Sequence, residues 1–294
     1  MGQTVASCLC CDSSSLDASP AIWMPFIAHR ALGLPPLLID SSWGLRTIPE
    51  GMAYCLCNSL HCRDCGHLFV DYRFNEQEMQ ALYTDYRGDE YTQLRELYEP
   101  GYIKRNSMLS CGAGYKSAVE SFLDPFLPQH SLAILDWGGD TGVNTPYEDR
   151  RHCLDIYDPS QKPLQFGKSI ARSGAFEQNH YDLIVLSEVL EHIPFPEETL
   201  HLILPKMSAD TILYVEFPFE NLQRSECVVN LASSKRHWHE HINFFSLQSA
   251  FSLFSKCGLV VLAHQILSLG DDLRPSSLGV HQIFMFAIQR QADH

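Results

Sequence analysis

Residues 134–142, ILDWGGDTG, decide the fold, because they read as a buried strand that runs directly into a glycine turn. Asp136 ends the apolar run, and Gly138 and Gly139 permit a tight turn with positive φ. Gly142 lets the next segment approach the strand closely. The pattern predicts a strand-to-helix turn that binds a cofactor, although an ordinary turn between buried elements gives a similar pattern.

Short apolar runs separated by helical segments follow Pro128. They are LAILDW, HCLDIYD, YDLIVLS, TILYVEFP, LVVLAHQIL and HQIFMFAIQ. Because strands alternate with helices, the sequence predicts an α/β fold with a doubly wound, mostly parallel sheet. A helix should precede LVVLAHQIL, with Ser246 as its N-cap and Gly258 as its stop signal.

Composition and charge narrow the class of ligand. The chain has 294 residues, of which 45% are hydrophobic, enough for one substantial core and a smaller accessory unit. Its 21 Lys and Arg residues against 35 Asp and Glu residues give a formal charge of -14, and no basic run interrupts it. A nucleic-acid partner is therefore disfavoured, and a small-molecule substrate is expected.

The N-terminus does not read as a signal peptide, and no stretch approaches the roughly 18 uninterrupted apolar residues of a membrane span. We therefore expect a cytoplasmic protein with no membrane span. Disulfides are rare in that compartment, and seven of the eleven cysteines precede residue 66. This clustering favours metal binding over a disulfide framework.

Two cysteine pairs have the two-residue spacing of a zinc site, and a glycine follows the second pair. The predicted ligands of this closed, structural site are Cys8, Cys11, Cys62 and Cys65. Three other cysteines are close enough in sequence to replace one of them, namely Cys10, Cys55 and Cys57. Reduced cysteines without a metal are the remaining alternative.

Three regions follow from these patterns. Residues 1–72 are rich in Cys, Pro, Gly and Ser and predict a loop-rich zinc-binding unit. Residues 73–114 turn polar and helical, which predicts an amphipathic linker that is interrupted at Pro100-Gly101. Residues 115–294 contain the predicted sheet.

Further side chains should meet the glycine turn at the carboxyl edge of the sheet. Asp158 lies 22 residues after Asp136, where an acid can accept hydrogen bonds from both hydroxyls of a ribose. Asp155 is the alternative for that role. The run YDLIVLSEVLEHIP reads as a buried strand that delivers Ser187 and Glu188 to the same edge.

The chain resembles the class I S-adenosylmethionine-dependent methyltransferases over roughly residues 115–290. The resemblance rests on LDWGGDTG, on DPS at the second strand, on YDLIVLSEVLEHIPFPEETL and on TILYVEFPFE. It implies a Rossmann-like sheet of seven strands whose last strand, HQIFMFAIQ, is antiparallel. It also implies that Asp136, Gly138 and Gly142 contact the methionine part of the cofactor. Asp158 would hold the ribose.

Two details depart from the family pattern. Only about two dozen residues separate Asp158 from Tyr181, so the third strand should be short or irregular, with Phe176 and Glu177 the nearest candidates for adenine contacts. Asp140 interrupts the usual glycine spacing. A carboxylate there would repel a pyrophosphate, but it suits a cofactor that carries a sulfonium and an ammonium, whose amino group it could contact.

Residues 235–246, KRHWHEHINFFS, indicate the reaction site. A neutral imidazole can remove a proton from a substrate hydroxyl, and a nearby carboxylate can hold the ring in the required tautomer. His239 is the expected base, with Glu240 and His241 in support. A metal site that also uses His237 and a polar loop without chemistry are the alternatives.

The HEH stretch resembles that of methyltransferases that act on sugars and glycans, many of which carry an N-terminal zinc-binding unit. Glu191-His192 also resembles a family pair, or else faces solvent from a capped helix. Because related sugar C-methyltransferases have a further C-terminal domain, we expect O-methylation of a sugar, glycan or related small polar acceptor. A non-catalytic binding or scaffold protein and a nicotinamide-dependent oxidoreductase are the competing functions.

Overall fold

The computed structural model describes residues 2–44, 46–109, 114–160, 162–170, 180–225 and 230–291. Phe176 and Glu177, the expected adenine contacts, lie outside these residues. Within the described ranges, none of the helices has the length and apolar character needed to cross a membrane.

The strands in chain order are β1 Gln3–Thr4, β2 Leu16–Trp23, β3 Leu37–Ile39, β4 Gly51–Ala53, β5 Leu56–Cys62, β6 Leu68–Val70, β7 Tyr72–Arg73, β8 Leu132–Trp137, β9 Arg151–Tyr157, β10 Lys168–Ser169, β11 Leu183–Ser187, β12 Ile212–Pro218, β13 His237–Trp238, β14 Asn243–Phe244, β15 Leu259–Leu269 and β16 His281–Arg290. The helices are α1 Pro25–Leu32, α2 Glu76–Tyr83, α3 Asp89–Tyr98, α4 Tyr102–Leu109, α5 Lys116–Leu123, α6 Pro196–Ile203, α7 Asn221–Arg224, α8 Leu231–Ser234 and α9 Leu247–Lys256.

The larger sheet has the strand order β10-β9-β8-β11-β12-β16-β15. Its first five strands are parallel, and β16 is antiparallel to both of its neighbours. The α/β fold and the antiparallel last strand are therefore confirmed. The expected helix after the glycine turn is wrong, because residues 138–150 between β8 and β9 form turns and bends only. The third strand, β10, is only two residues long, as the short interval before Tyr181 predicted.

Apolar clusters cover both faces of this sheet, which explains why its central strand is a continuous apolar run. Every residue of β8 is buried. Ala133, Leu135 and Trp137 pack on one face with residues of α6 and α9, whereas Leu132 and Ile134 pack on the other with residues of α5. The strand order reverses at β8, because the chain places β9 and β10 on one side of it and β11 and β12 on the other, so a cleft forms at the carboxyl ends of β8 and β11.

The smaller sheet has the order β13-β2-β5-β6-β14, so both of its edge strands come from the segment around residues 237–244. His237 pairs with Ile22 in parallel, and Asn243 pairs with Phe69 in antiparallel register. Residues 1–72 thus contribute real strands rather than mainly loops, and they do not complete their sheet alone. Sequence analysis missed this because the partner strands are two residues long and lie far away in the chain.

The region expected to be a linker contains the helices α2, α3 and α4, and the predicted Pro100-Gly101 break separates α3 from α4. It packs against the small sheet's helix α1, because the ring of Tyr91 meets that of Phe26 at 4.9 Å between centroids. Helix α9 also begins as predicted, since Ser246 forms a capping box with Ser249. The left-handed φ of Gly258 follows its end.

Candidate functional site

The turn after β8 has three residues with positive φ, and Gly138 is the only one of them for which it was expected. Gly138, Asp140 and Gly142 have φ values of 92°, 48° and 81°. Gly139 does not belong to this set, so the expected positive φ at that position is wrong. A Cβ on Gly139 would lie 2.7 Å from Cγ of Asp136, so a close approach requires glycine there instead.

Asp140 takes a conformation that aspartate tolerates better than most residues. Its N–H donates to Oδ2 of Asp158 at 2.9 Å, and its own carboxylate lies 3.0 Å from Nζ of Lys162. The other Asp158 oxygen accepts hydrogen bonds from the N–H and hydroxyl of Ser160 at 2.9 and 2.5 Å. Asp140 and Asp158 therefore lie next to each other, on the loops that follow β8 and β9. An ammonium group of the cofactor that bound Asp140 would do so beside Lys162.

Asp155, the alternative ribose acid, is buried within β9. Its carboxylate accepts a hydrogen bond from the hydroxyl of Tyr181 at 2.6 Å. Asp158 follows the strand end and lines the cleft, so its position fits a ribose better.

Asp136 ends β8 as a buried carboxylate. The hydroxyl of Thr145 donates to it at 2.5 Å. Burial raises the pKa of Asp136 to about 7, and the Thr145 hydrogen bond only partly opposes this change. A cation bound beside this group would favour its ionised form.

Ser187 and Glu188 lie at the end of β11, where the sequence placed them. The Ser187 hydroxyl donates to Glu216, a buried acid that also accepts hydrogen bonds from Tyr115 and Tyr214. Glu188 has a φ of 55°, and its buried Oε1 has no hydrogen-bond partner among the described residues. Burial, together with the charge of Glu216, raises the pKa of Glu188 well above its ordinary value.

These acids line one end of a cavity of about 2070 Å³. This glycine-loop end is lined by Asp136, Gly138, Asp140, Asp158, Glu188 and Glu216. Carboxylates there, including the unpartnered oxygen of Glu188, fit a cationic cofactor such as S-adenosylmethionine and disfavour a pyrophosphate.

The three histidines of the HEH region separate in the structure. His237 is exposed on β13. His239 is about one-third exposed, and its Nδ1 lies 3.5 Å from Oε1 of Glu99 in α3. His241 instead hydrogen-bonds Oε1 of Glu220 through Nδ1 at 2.9 Å. A single metal site made from these three rings is therefore excluded, and each cavity-facing ring has its own carboxylate.

Glu240 faces a cation rather than its neighbouring histidines. Nη1 of Arg95 lies 2.8 Å from the Glu240 carboxylate, and Nε of Arg95 bonds Glu99 at 3.0 Å. Although burial opposes ionisation, Arg95 and the adjacent histidines lower the pKa of Glu240 to about 2. Glu240 is therefore connected to His239 through a chain of contacts in which Glu240 binds Arg95, Arg95 binds Glu99 and Glu99 faces His239. Arg95 and Glu99 were not identified from the sequence.

Glu191 and His192 lie in a turn before α6, not on a solvent-facing helix. Glu191 is buried, and neither carboxylate oxygen has a hydrogen-bond partner in the described part of the chain. Nδ1 of His192 lies 3.0 Å from the carbonyl oxygen of Glu240, and its ring meets that of His241 at 4.6 Å between centroids. Burial, then the neighbouring His241, lowers the pKa of His192 to about 3.

These groups form the histidine end of the cavity. It is lined by Arg95, Glu99, His192, Glu220, His239, Glu240 and His241. Glu191 lies directly behind His192, at 3.6 Å from its Nε2. Both ends belong to one continuous cavity, so a cofactor and an acceptor could meet within it.

The expected zinc ligands converge. The sulfur atoms of Cys8, Cys11, Cys62 and Cys65 all lie within 4.8 Å of one another. The Cys8–Cys65 and Cys11–Cys62 sulfur distances are 3.4 and 3.6 Å. Tetrahedral Zn–S bonds would separate the sulfurs by about 3.8 Å, so the set fits zinc.

The other N-terminal cysteines have different neighbours. Cys10 lies 3.4 Å from Nδ1 of His67. Cys55 and Cys57 pack with a separate apolar cluster that includes Trp23. Cys8, Cys10 and His67 also bring their ligand atoms within 4.8 Å of one another, so these positions favour the four-cysteine set over sites that use Cys55 or Cys57, and the Cys10 alternative stays open.

The chain matches a family model and resembles several solved structures at low sequence identity. A family model described as a methyltransferase domain matches residues 113–264. A Methanosarcina mazei S-adenosylmethionine-dependent methyltransferase is 13% identical over 58% of this chain and 98% of its own, with a TM-score of 0.41. The plantazolicin methyltransferase BpumL, solved with SAH, is 13% identical over 73% and 97%, with a TM-score of 0.42. The [4+2]-cyclase SpnF is 14% identical over 69% and 96%, with a TM-score of 0.45.

No curated protein matches the chain. At these identities and scores the three solved structures say nothing about its acceptor. The family match carries more weight than these structures, because it spans more than half of the 294 residues and so assigns the chain to that family.

Proposed function

This chain belongs to the family of methyltransferase domains, and from that premise we propose that it methylates a hydroxyl oxygen of a sugar, glycan or related small polar acceptor. It is an S-adenosylmethionine-dependent methyltransferase by family. What we propose beyond the family is that the methylated atom is an oxygen and that the acceptor is of this class. They rest on one observation, which is that the acidic glycine-loop end and the His239–Glu99 pair line the same cavity.

The glycine-loop end would hold the cofactor. Asp136, Asp140 and Glu188 offer carboxylates to its cationic part, and Asp158 is positioned for the ribose. When bound, S-adenosylmethionine supplies the sulfonium methyl group. The positive charge of the bound cofactor would in turn favour the ionised form of Asp136, against the effect of burial and of the neighbouring acids.

His239 would be the base. Its Nδ1 faces Glu99, which leaves Nε2 to accept the proton of the acceptor hydroxyl as the oxygen attacks the methyl carbon. Arg95 holds Glu99 from the other side and so fixes the position of the ring. Glu240 and His241 support the arrangement through Arg95 and through the wall of the cavity.

The acceptor class is supported by the resemblance of the HEH stretch to methyltransferases that act on sugars and glycans. A polar cavity wall suits such an acceptor, because histidine and carboxylate groups can exchange hydrogen bonds with several hydroxyls. The zinc proposed for Cys8, Cys11, Cys62 and Cys65 would have no open coordination position. It would therefore stabilise the small sheet and take no part in the reaction.

The test combines binding and product analysis. Calorimetry should show binding of S-adenosylmethionine and of its demethylated product to the purified chain. Methyl transfer to a panel of sugars, nucleotide sugars and glycans, with the product analysed by NMR, should locate the methyl group on oxygen. A methyl group on carbon or nitrogen would contradict the oxygen assignment, and absence of cofactor binding to folded protein would contradict the whole proposal.

A further inference from the structure

We infer that Glu191, His192 and His241 form a binding site for a divalent transition-metal ion at the histidine end of the cavity. This site is separate from the four cysteines. Its role toward the acceptor rests on the proposed function, whereas its existence rests only on the geometry of these three side chains.

The three side chains converge. Each offers one ligand atom, and these atoms all lie within 4.8 Å of one another. Nε2 of His192 is 3.6 Å from Oε1 of Glu191. Metal bonds of about 2.1 Å in a tetrahedral arrangement place neighbouring ligand atoms about 3.4 Å apart, close to the distance between His192 and Glu191.

Both imidazole rings are already oriented as metal ligands usually are. Nδ1 of His192 faces the carbonyl oxygen of Glu240 at 3.0 Å, and a carbonyl can only accept a hydrogen bond. Nδ1 of His241 faces the Glu220 carboxylate at 2.9 Å. In each ring Nδ1 therefore carries the proton, which leaves the lone pair on Nε2 for a cation.

The carboxylate lacks any other partner. The Glu191 side chain is 2% exposed, and neither of its oxygens accepts a hydrogen bond from the residues that the structure describes. The charged groups that act on Glu191 are other acids, chiefly Glu188, and Arg95 is already bound by Glu99 and Glu240. A buried carboxylate without a donor or cation is unfavourable, and a divalent ion would remove that penalty.

The chemistry of the ligand set indicates the class of ion. Two imidazoles and one carboxylate suit zinc, iron, cobalt or manganese, whereas thiolates suit the N-terminal zinc site. Three protein ligands leave coordination positions open, and His192 and His241 line the cavity. An acceptor hydroxyl bound there would have a lower pKa, in the same cavity as the base His239.

The test uses the full chain with its cysteine site loaded with zinc. Mn²⁺ alone is titrated and followed by electron paramagnetic resonance, with Co²⁺ in a parallel calorimetric titration. Wild-type protein should bind one equivalent beyond the zinc. Glu191→Gln and His241→Gln should each weaken binding by about 10-fold or more, because each removes a ligand. The exposed His237→Gln is the matched control and should bind like wild type.

Thermal melting of each variant checks the fold. If Glu191→Gln does not fold, the partly exposed His241→Gln decides the result. The inference is overturned if wild type binds neither ion at this site, or if the folded variants bind as tightly as wild type. Cofactor binding is measured on the same samples. If wild-type protein binds S-adenosylmethionine but neither Mn²⁺ nor Co²⁺, only the proposed metal site is refuted. If wild-type protein does not bind S-adenosylmethionine, the proposed function is contradicted instead.

Discussion

The glycine-loop end of the cavity comes mostly from the carboxyl ends of neighbouring parallel strands, whereas the histidine end combines segments that are far apart in the chain. Asp136, Asp140 and Asp158 follow one another within two strands and their turns. In contrast, Glu99, Glu220 and His239 lie on three unrelated elements. The first end depends on one sheet, and the second depends on how the small sheet and α3 pack beside it. The two ends should therefore respond differently to substitution.

The largest expected effect is that of removing the proposed zinc, which should disrupt the histidine end of the cavity and leave the glycine-loop end able to bind the cofactor. Cys62→Ser should remove the metal and destabilise the small sheet by on the order of 10 kcal/mol, enough to unfold it. Because β13 and β14 belong to that sheet, methyl transfer should be lost while S-adenosylmethionine still binds the larger sheet. Metal analysis, thermal unfolding and cofactor calorimetry measure the three quantities.

Cys257→Ser is the matched control for this substitution. Cys257 is buried in the larger domain, outside the four-cysteine cluster, so its variant should keep the metal. Equal metal content and stability in wild type and Cys62→Ser would contradict the zinc proposal.

The next effect concerns the proposed base. His239→Gln should lower the methyl-transfer rate by about 10²- to 10⁴-fold and leave the affinity for S-adenosylmethionine unchanged, because it touches only the histidine end. His237→Gln, on the exposed edge of β13, should leave the rate as in wild type. An unaltered rate in His239→Gln would show that another group takes the proton.

Arg95 provides a sharper test of the packing between α3 and the HEH segment. Arg95→Met should lower the free energy of unfolding by about 3–5 kcal/mol, because it leaves the carboxylates of Glu99 and Glu240 buried without their cation. Arg150→Met removes the exposed ion pair with Asp124 and a hydrogen bond to the carbonyl oxygen of Pro128, and should change stability by only about 1–2 kcal/mol. Denaturant unfolding of both variants gives the comparison, and equal losses would refute it.

The smallest effect should occur at the glycine-loop end. Burial raises the pKa of Asp136 to about 7 from a model-peptide value of 3.8. The folded state therefore binds a proton more tightly than the unfolded state, so this group stabilises the protein fully below about pH 3.8 and loses that contribution as the pH rises through 7. Above pH 7, Asp136→Asn should stabilise the cofactor-free protein by about 1–2 kcal/mol, after allowance for a weaker hydrogen bond from Thr145.

The same substitution should weaken S-adenosylmethionine binding, since it removes a carboxylate from the cationic cofactor's site. Unfolding curves at pH 5 and pH 8 check the stability difference, which should grow with pH. A difference that shrinks as the pH rises would show that Asp136 is not a buried, proton-binding carboxylate.

Local patterns explain what could be predicted. The turn at residues 136–142, the acid at Asp158 and the two cysteine pairs depend on short spacings, so their arrangement follows from the chain itself. The predicted positive φ of Gly139 was wrong. Glycine is required there because the Asp136 side chain packs against it and leaves no room for a Cβ, and only the folded structure shows this contact. Glu191 and His192 were placed on a helix, although the structure has them in a buried turn before α6.

The sequence by itself determined the α/β fold, the acidic character of the glycine turn and the cysteine spacing, because these depend on residue order and on periodic burial. Tertiary structure alone decided that Glu99 faces His239, that Arg95 holds Glu240 and that Glu191 meets two imidazoles. Except for Glu191 and His192, which are adjacent in the chain, these contacts join residues separated by dozens to more than a hundred positions. They form only when the small sheet takes its edge strands from the HEH segment and thereby fixes those side chains against α3.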